Sequence, residues 1–170
     1  MADDEFLEEA LPHLDMLYNL ARRLTATRED AEDLVQETYA KALEGYRRRR
    51  PQRMTAWLAT ICLNGARSRH RRRATRPAEL LEAEPGIDIP STSDTAGQAI
   101  AATDADAVHE AMARLPHEQR EAITLMDLCG FTAAQAGDVL HVSRNTVLSR
   151  VHRGHKRLAV LLEEVTRLDP

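Results

Sequence analysis

The segment 143-SRNTVLSRVHRGHKRL-158 carries Asn145, Ser149, His152 and Arg153 at three- and four-residue steps, so a helix would hold them on one face. Amide, hydroxyl, imidazole and guanidinium groups are the side chains that match base edges in a DNA groove. Thr146, Arg150 and Lys156 fall where they would hold the phosphate backbone instead. A second basic block lies upstream, in 46-YRRRRPQRM-54 and in 68-SRHRRR-73. A plainer reading exists for each. Basic residues late in a helix complement its dipole, and a charge run is often just a solvated face.

The elements that must position these groups follow from capping and period. Thr132 with Gln135 three residues later is a capping box opening a short helix. His141 and Val142 make a turn, and Ser143 caps a last helix from Arg144 to about Leu162, with Val147, Val151, Leu158 and Leu161 inward. That pair is a helix-turn-helix, whose second helix enters the major groove, and it favours DNA binding over an ordinary surface helix. Before it, Val108, Ala111, Met112 and Leu115 line one helix closed by Pro116, and Ile123, Met126 and Cys129 line the next, ending at Gly130.

Toward the N-terminus, Leu7, Leu11, Leu14, Tyr18, Ala21 and Leu24 form one apolar stripe, with the long helix starting near Pro12 behind a short turn. Thr27 caps a helix running to Gly45, with Ala31, Leu34, Val35, Thr38 and Ala42 inward. Pro51 and the charge of 46–54 predict a loop, and a third helix from about Thr55 buries Leu58, Ile61, Cys62 and Ala66. Residues 74–103 hold three prolines and two glycines without a sustained period, which predicts an extended linker. The expected organisation is all-α: a bundle of three to four helices in 1–73, a linker in 74–103, and a helix-turn-helix bundle in 104–170.

Composition narrows the function further. Residues 41–76 carry twelve Lys or Arg against Glu44 alone, whereas 77–113 carry eight acids and no Lys or Arg. Two basic blocks separated by an acidic stretch predict two places where phosphate is met. No stretch is apolar enough for a membrane span, and the acidic MADDEFLEEA start is unlike a signal peptide, so a cytoplasmic protein is expected. Cys62 and Cys129 stand apart from each other and from any His cluster, so they read as packed thiols, with neither metal nor cofactor expected. No nucleophile–base set or Gly-rich phosphate loop points to an enzyme.

Three segments resemble the extracytoplasmic-function (ECF, group 4) sigma factors of the bacterial sigma-70 family. The run 115–158 is similar to region 4, with Leu115, Pro116, Arg120, Leu125, Gly130, Val139, Leu140, Thr146, Val147, Ser149, Arg150, Arg153 and Leu158 in their expected places. The run 20-LARRLTATREDAEDLVQETYAKAL-43 is similar to regions 2.1 and 2.2, and 56-AWLATICLNGARSRHRRR-73 to regions 2.3 and 2.4. Departures are Gln135 for Glu, Gly137 for Ala, His141 for the turn Gly, and Leu148 where many members carry a basic DNA contact. Gly137 is expected to weaken its helix by about 1 kcal/mol relative to Ala.

The resemblance implies an alternative sigma factor that binds core RNA polymerase (β and β′ subunits) and recognises and helps open promoter DNA. Asp30, Asp33, Gln36 and Glu37 would dock on the polymerase, although by themselves they read as a solvated acidic face. Trp57, Asn64, Arg67, Arg69, Arg71 and Arg72 would serve the −10 element, with Asn64 suited to an unstacked base. Ser149, His152 and Arg153 would contact −35 bases, and Asn145, Thr146 and Arg150 phosphates, with Lys156 beside them. The tetrad Arg47–Arg50 would add nonspecific DNA affinity or stand as a solvated loop. The linker would thread the polymerase cleft, and an anti-sigma factor would wedge between the domains. The rival is a free-standing helix-turn-helix regulator, which would need a sensor or dimerisation surface in 1–73.

Overall fold

The structure, a computed structural model, describes residues 2–75 and 96–168. Helices account for nearly all of it, and no strand occurs among the described residues. In order they are α1 (Ala2–Ala10), a 3₁₀ turn (Leu11–His13), α2 (Leu14–Leu24), α3 (Arg28–Arg48), α4 (Met54–Ala74), α5 (Ala96–Ala113), α6 (His117–Ile123) with a π turn (Thr124–Leu128), α7 (Ala133–Leu140) and α8 (Arg144–Leu168). Most of the expected linker lies outside the described residues. Helix α5 nevertheless begins at Ala96, inside the stretch that lacked a visible period.

The first half packs α1–α4 around Leu17, Leu20, Leu34, Leu58 and Leu63. Its entry differs from the sequence expectation. Instead of a short turn there is a nine-residue helix, with Asp3, Asp4 and Glu5 in its first turn, where acids complement the helix dipole. Its anchor is Phe6, fully buried edge-on to Tyr39 and Tyr46 at 6.2 and 5.5 Å between ring centroids. Burying that ring contributes about 2 kcal/mol. The stripe expected on Leu7, Leu11 and Leu14 is the outer face, and those three are exposed.

The same contact corrects the loop. Helix α3 does not stop at Gly45 but continues to Arg48, because Tyr46 is drawn inward onto Phe6. Gly45 faces the Trp57 ring so closely that a Cβ there would lie 2.8 Å from it. The arginine tetrad acquires a structural task at the same place. Arg47 holds Asp3 with two bonds of 2.9 and 2.7 Å, and Arg50 pairs with Glu9, so the run fastens α1 while Arg48 and Arg49 stay exposed.

The second half packs α5–α8 around Met112, Leu115, Ile123, Leu125, Val147, Val151 and Leu161. Helix α6 passes into a π turn, where the Cys129 N–H donates to Thr124 O rather than to residue 125. Burial pushes the Cys62 thiol up to about 12 and the Cys129 thiol to about 11, so both are inert packing groups.

Candidate nucleic-acid interface

Helices α7 and α8 meet across a tight turn. Thr132 and Gln135 form the reciprocal capping box, so α7 starts where the sequence indicates. His141 ends it in the left-handed conformation at φ 57°, and the N–H groups of His141 and Val142 both donate to Gly137 O. Gly137 is required by this turn. A Cβ on it would lie 2.7 Å from Val142 O, so the departure from alanine matches a closer helix crossing. Gly154 plays the same part between α6 and α8, where a Cβ would lie 2.6 Å from Ile123. The sequence reading missed it, although a glycine within an apolar helical stripe is the usual sign of close approach.

Ser143 accepts the Thr146 N–H at 3.1 Å and opens α8. With Val147 and Val151 buried beneath, Asn145, Ser149, His152, Arg153 and Lys156 are all exposed, at steps that place them along one side of the helix. Two other expected contacts are engaged within the fold. The Thr146 hydroxyl lies 2.9 Å from Ser143 Oγ and belongs to the cap. The Arg150 side chain is 15% exposed and sits 3.4 Å from Glu118, bracing α8 against the start of α6.

Helix α4 presents its groups less freely. Asn64, Arg71 and Arg72 are exposed, and Trp57 is half-buried beside Gly45. Arg69 reaches back to α3, bonding Glu37 at 2.9 Å and the Asp30 carbonyl at 3.3 Å, and Arg73 holds the Asp30 carboxylate at 3.0 Å. The expected docking face of α3 is thereby divided. Asp33 and Gln36 are exposed, while Asp30 and Glu37 are half-buried and tied to α4. Burial raises the Asp30 carboxyl, but bonds from Arg73 and Thr27 outweigh it and hold it below its ordinary value. Bonds from Lys41 and Arg69 hold Glu37 low in the same way.

The sigma-70 region 2 family matches residues 11–76, and the sigma-70 region 4 family matches residues 105–158. The chain is 35% identical over 151 residues to the ECF RNA polymerase sigma factor SigM of Mycobacterium tuberculosis, covering 88% of this chain and 73% of that one. It is 31% identical to the ECF RNA polymerase sigma factor EcfG of Rhodopseudomonas palustris, covering 94% and 86%. Among solved structures it superposes on the sigma factor RpoE of Bartonella quintana, seen in complex with the anti-sigma factor NepR. That match has a TM-score of 0.72 and 30% identity, over 98% of this chain and 99% of that one. The chain belongs to the ECF sigma factors. As a sigma factor it serves promoter-specific transcription, and the region 2 match over most of the first half disfavours the rival free-standing regulator.

In this sigma factor the two regions pack against each other. Arg67 of α4 grips Glu121 of α6 with two bonds of 2.9 and 2.7 Å, and the Glu121 side chain is 1% exposed. His117 Nε2 lies 3.0 Å from the same carboxylate, and its ring stacks on His70 at 6.3 Å and 7°. The bond to Glu121 raises the Arg67 guanidinium above its ordinary value; burial, only partly offset by Glu121, lowers His117. Arg53 and Asp138 approach to 4.0 Å elsewhere along the seam. Glu121 is a residue the sequence reading did not single out. Nothing in its local pattern marks it, since its partner lies 54 positions away.

Proposed function

We propose that this ECF sigma factor meets core polymerase through α3 and reads a two-part promoter through α4 and α8. Asp33 and Gln36 make the first contact, and Asp30 and Glu37 join them from positions set by Arg73 and Arg69. Trp57, Asn64, Arg71 and Arg72 engage the −10 element, with Arg67 and Arg69 added when they leave their carboxylates. On α8, Ser149, His152 and Arg153 read −35 bases, while Asn145 and Lys156 hold phosphate, joined by Thr146 and Arg150 when they leave Ser143 and Glu118.

The observation that carries this reading is the exposed polar side of α8. Its five groups stand over buried Val147 and Val151, immediately beyond a capped left-handed turn. Residues 1–73 then form the polymerase and −10 domain, 74–103 the linker and 104–170 the −35 domain. The sigma factor contributes no catalysis of its own and works in the cytoplasm with the polymerase. Its neighbours RpoE and CnrH were solved with NepR and with the cytosolic domain of CnrY, and a partner of the anti-sigma kind is proposed here too.

Run-off transcription with core polymerase on genomic fragments tests the reading. A discrete subset of fragments is expected above the core-alone background. Arg153→Ala is expected to lower output from them about ten-fold or more, by removing about 1–3 kcal/mol of base contact. Asp33→Ala with Gln36→Ala should weaken core binding without changing which fragments respond. No fragment transcribed above background would overturn it.

A further inference from the structure

A cavity of about 260 Å³ opens on the seam between the two regions, lined by Arg23, Asp30, Arg69, His70, Arg73, His109 and Arg120 among others. Its charge does not balance. Asp30 is the one acid in the lining and already holds Arg73, and Arg69 is taken by Glu37. Arg23 and Arg120 remain, and neither has a carboxylate within ion-pair distance among the described residues. Arg120 spends one nitrogen on the Ala113 and Leu115 carbonyls, at 2.7 and 3.0 Å, while its buried Nε has no hydrogen-bond partner. Arg22, adjacent in the chain, likewise has a buried unpartnered Nη1.

A half-buried guanidinium without a counter-charge is costly, and several converging on one cavity are costlier still. The protonated forms register it. Burial first, and Arg22 second, lowers Arg23; burial, then Arg22 and Arg23, lowers His109 against a partial offset from the Ala26 backbone and Asp106; burial lowers Arg120, partly offset by its chain neighbour Glu121. A phosphate dianion would relieve all three, since guanidinium donors match its oxygens in number and geometry. The volume admits a phosphate or a phosphomonoester head rather than a large cofactor.

We propose that this cavity is a binding site for a small phosphate-bearing molecule, held by Arg23 of α2 and Arg120 of α6, with His70 and His109 beside them. The two arginines come from different regions, so the complete site exists only while the regions are packed together. Such a ligand favours the closed arrangement by the difference between its affinities for closed and open chains.

The test is a titration of the full chain with inorganic phosphate above pH 7.5, with ionic strength held constant by chloride. Saturable binding is expected, weakened at least ten-fold in Arg23→Gln and unchanged in Arg48→Gln, which removes the same charge from an exposed site on α3. A second readout needs no variant. Phosphate, but not chloride, should move the His109 imidazole pKa, followed by NMR, back toward its ordinary value. Burial, Arg22 and Arg23 lower that group while the Ala26 backbone and Asp106 already raise it, so a further rise that chloride does not produce reports phosphate beside it. The proposal fails if phosphate and chloride act alike, if Arg48→Gln loses as much as Arg23→Gln, or if Arg23→Gln binds as the parent does. Any of these would mark ordinary charge screening.

Discussion

Glu121 shows how much one side chain can tie together in this sigma factor. It is a region 4 carboxylate whose buried position is tolerated because Arg67 of region 2 supplies a bidentate partner and His117 a third contact. The histidine makes the arrangement pH-sensitive. His117 and His109 both lie at the seam with protonation made harder than at their ordinary value of 6.5, chiefly by burial. A lowered histidine pKa favours the neutral ring in the packed state. That contribution is fully present above 6.5 and is lost as pH falls from there through the lowered values. Thermal midpoints taken from pH 7.5 to 5.5 should therefore fall. The double variant His109→Gln with His117→Gln should flatten the profile, and an unchanged slope would show that the seam histidines do not carry it. At this scale, what was readable in the sequence was what is local. Asn145, Ser149, His152 and Arg153 were visible from a cap and a helical period. The partners of Arg67, Arg69 and Arg73 were not, because each lies 32 or more positions away on another helix.

Helix ends and crossings decide the element scale, and there local propensity misleads in a definable way. Alanine is favoured over glycine within a helix by about 1 kcal/mol, which alone predicts that Gly137→Ala stabilises α7. Steric contact argues the opposite, since the added Cβ would meet the rigid backbone oxygen of Val142 at 2.7 Å. The turn would have to open. Gly137→Ala is expected to lower the urea midpoint, and a midpoint raised by the propensity gain would refute the crossing argument. His141 gives the converse case. It sits at φ 57°, where a residue with a Cβ costs about 1–2 kcal/mol, and His141→Gly is expected to recover up to about 1 kcal/mol. Equilibrium unfolding in urea measures both. Helix α1 escaped the sequence reading for a related reason. Leu7, Leu11 and Leu14 gave a tidy stripe, but the aromatic cluster of Phe6, Tyr39 and Tyr46 joins residues distant in sequence and selects the other face.

For the whole molecule, two helical halves could be read from capping and charge, but their contact could not. The seam's polar part is made of residue types that ordinarily face water, Arg67 with Glu121, Arg53 with Asp138 and His70 with His117, beside an apolar part where the buried clusters of the two halves join and Cys129 meets Met16. No apolar stripe advertises it. This composition has a mechanical consequence. The ion pairs and histidines release at less cost than the apolar part of the seam, and the released groups are readily solvated. The packed arrangement also occupies Arg67, which is needed at the −10 element in the proposed function, so closing and promoter binding compete for one guanidinium. Glu121→Gln removes the charge while keeping shape and some hydrogen bonding, so region 4 should stay folded while Arg67 is freed. Far-UV circular dichroism is expected to be unchanged, and the radius of gyration from solution scattering to rise by roughly a tenth or more as the halves part. Arg67→Lys keeps a positive charge but loses the two-pronged grip, and should produce a smaller rise. If Glu121→Gln loses helicity in step with its expansion, the carboxylate is a folding element of region 4 alone. A compact, fully helical Glu121→Gln would instead show that the regions are held by their other contacts.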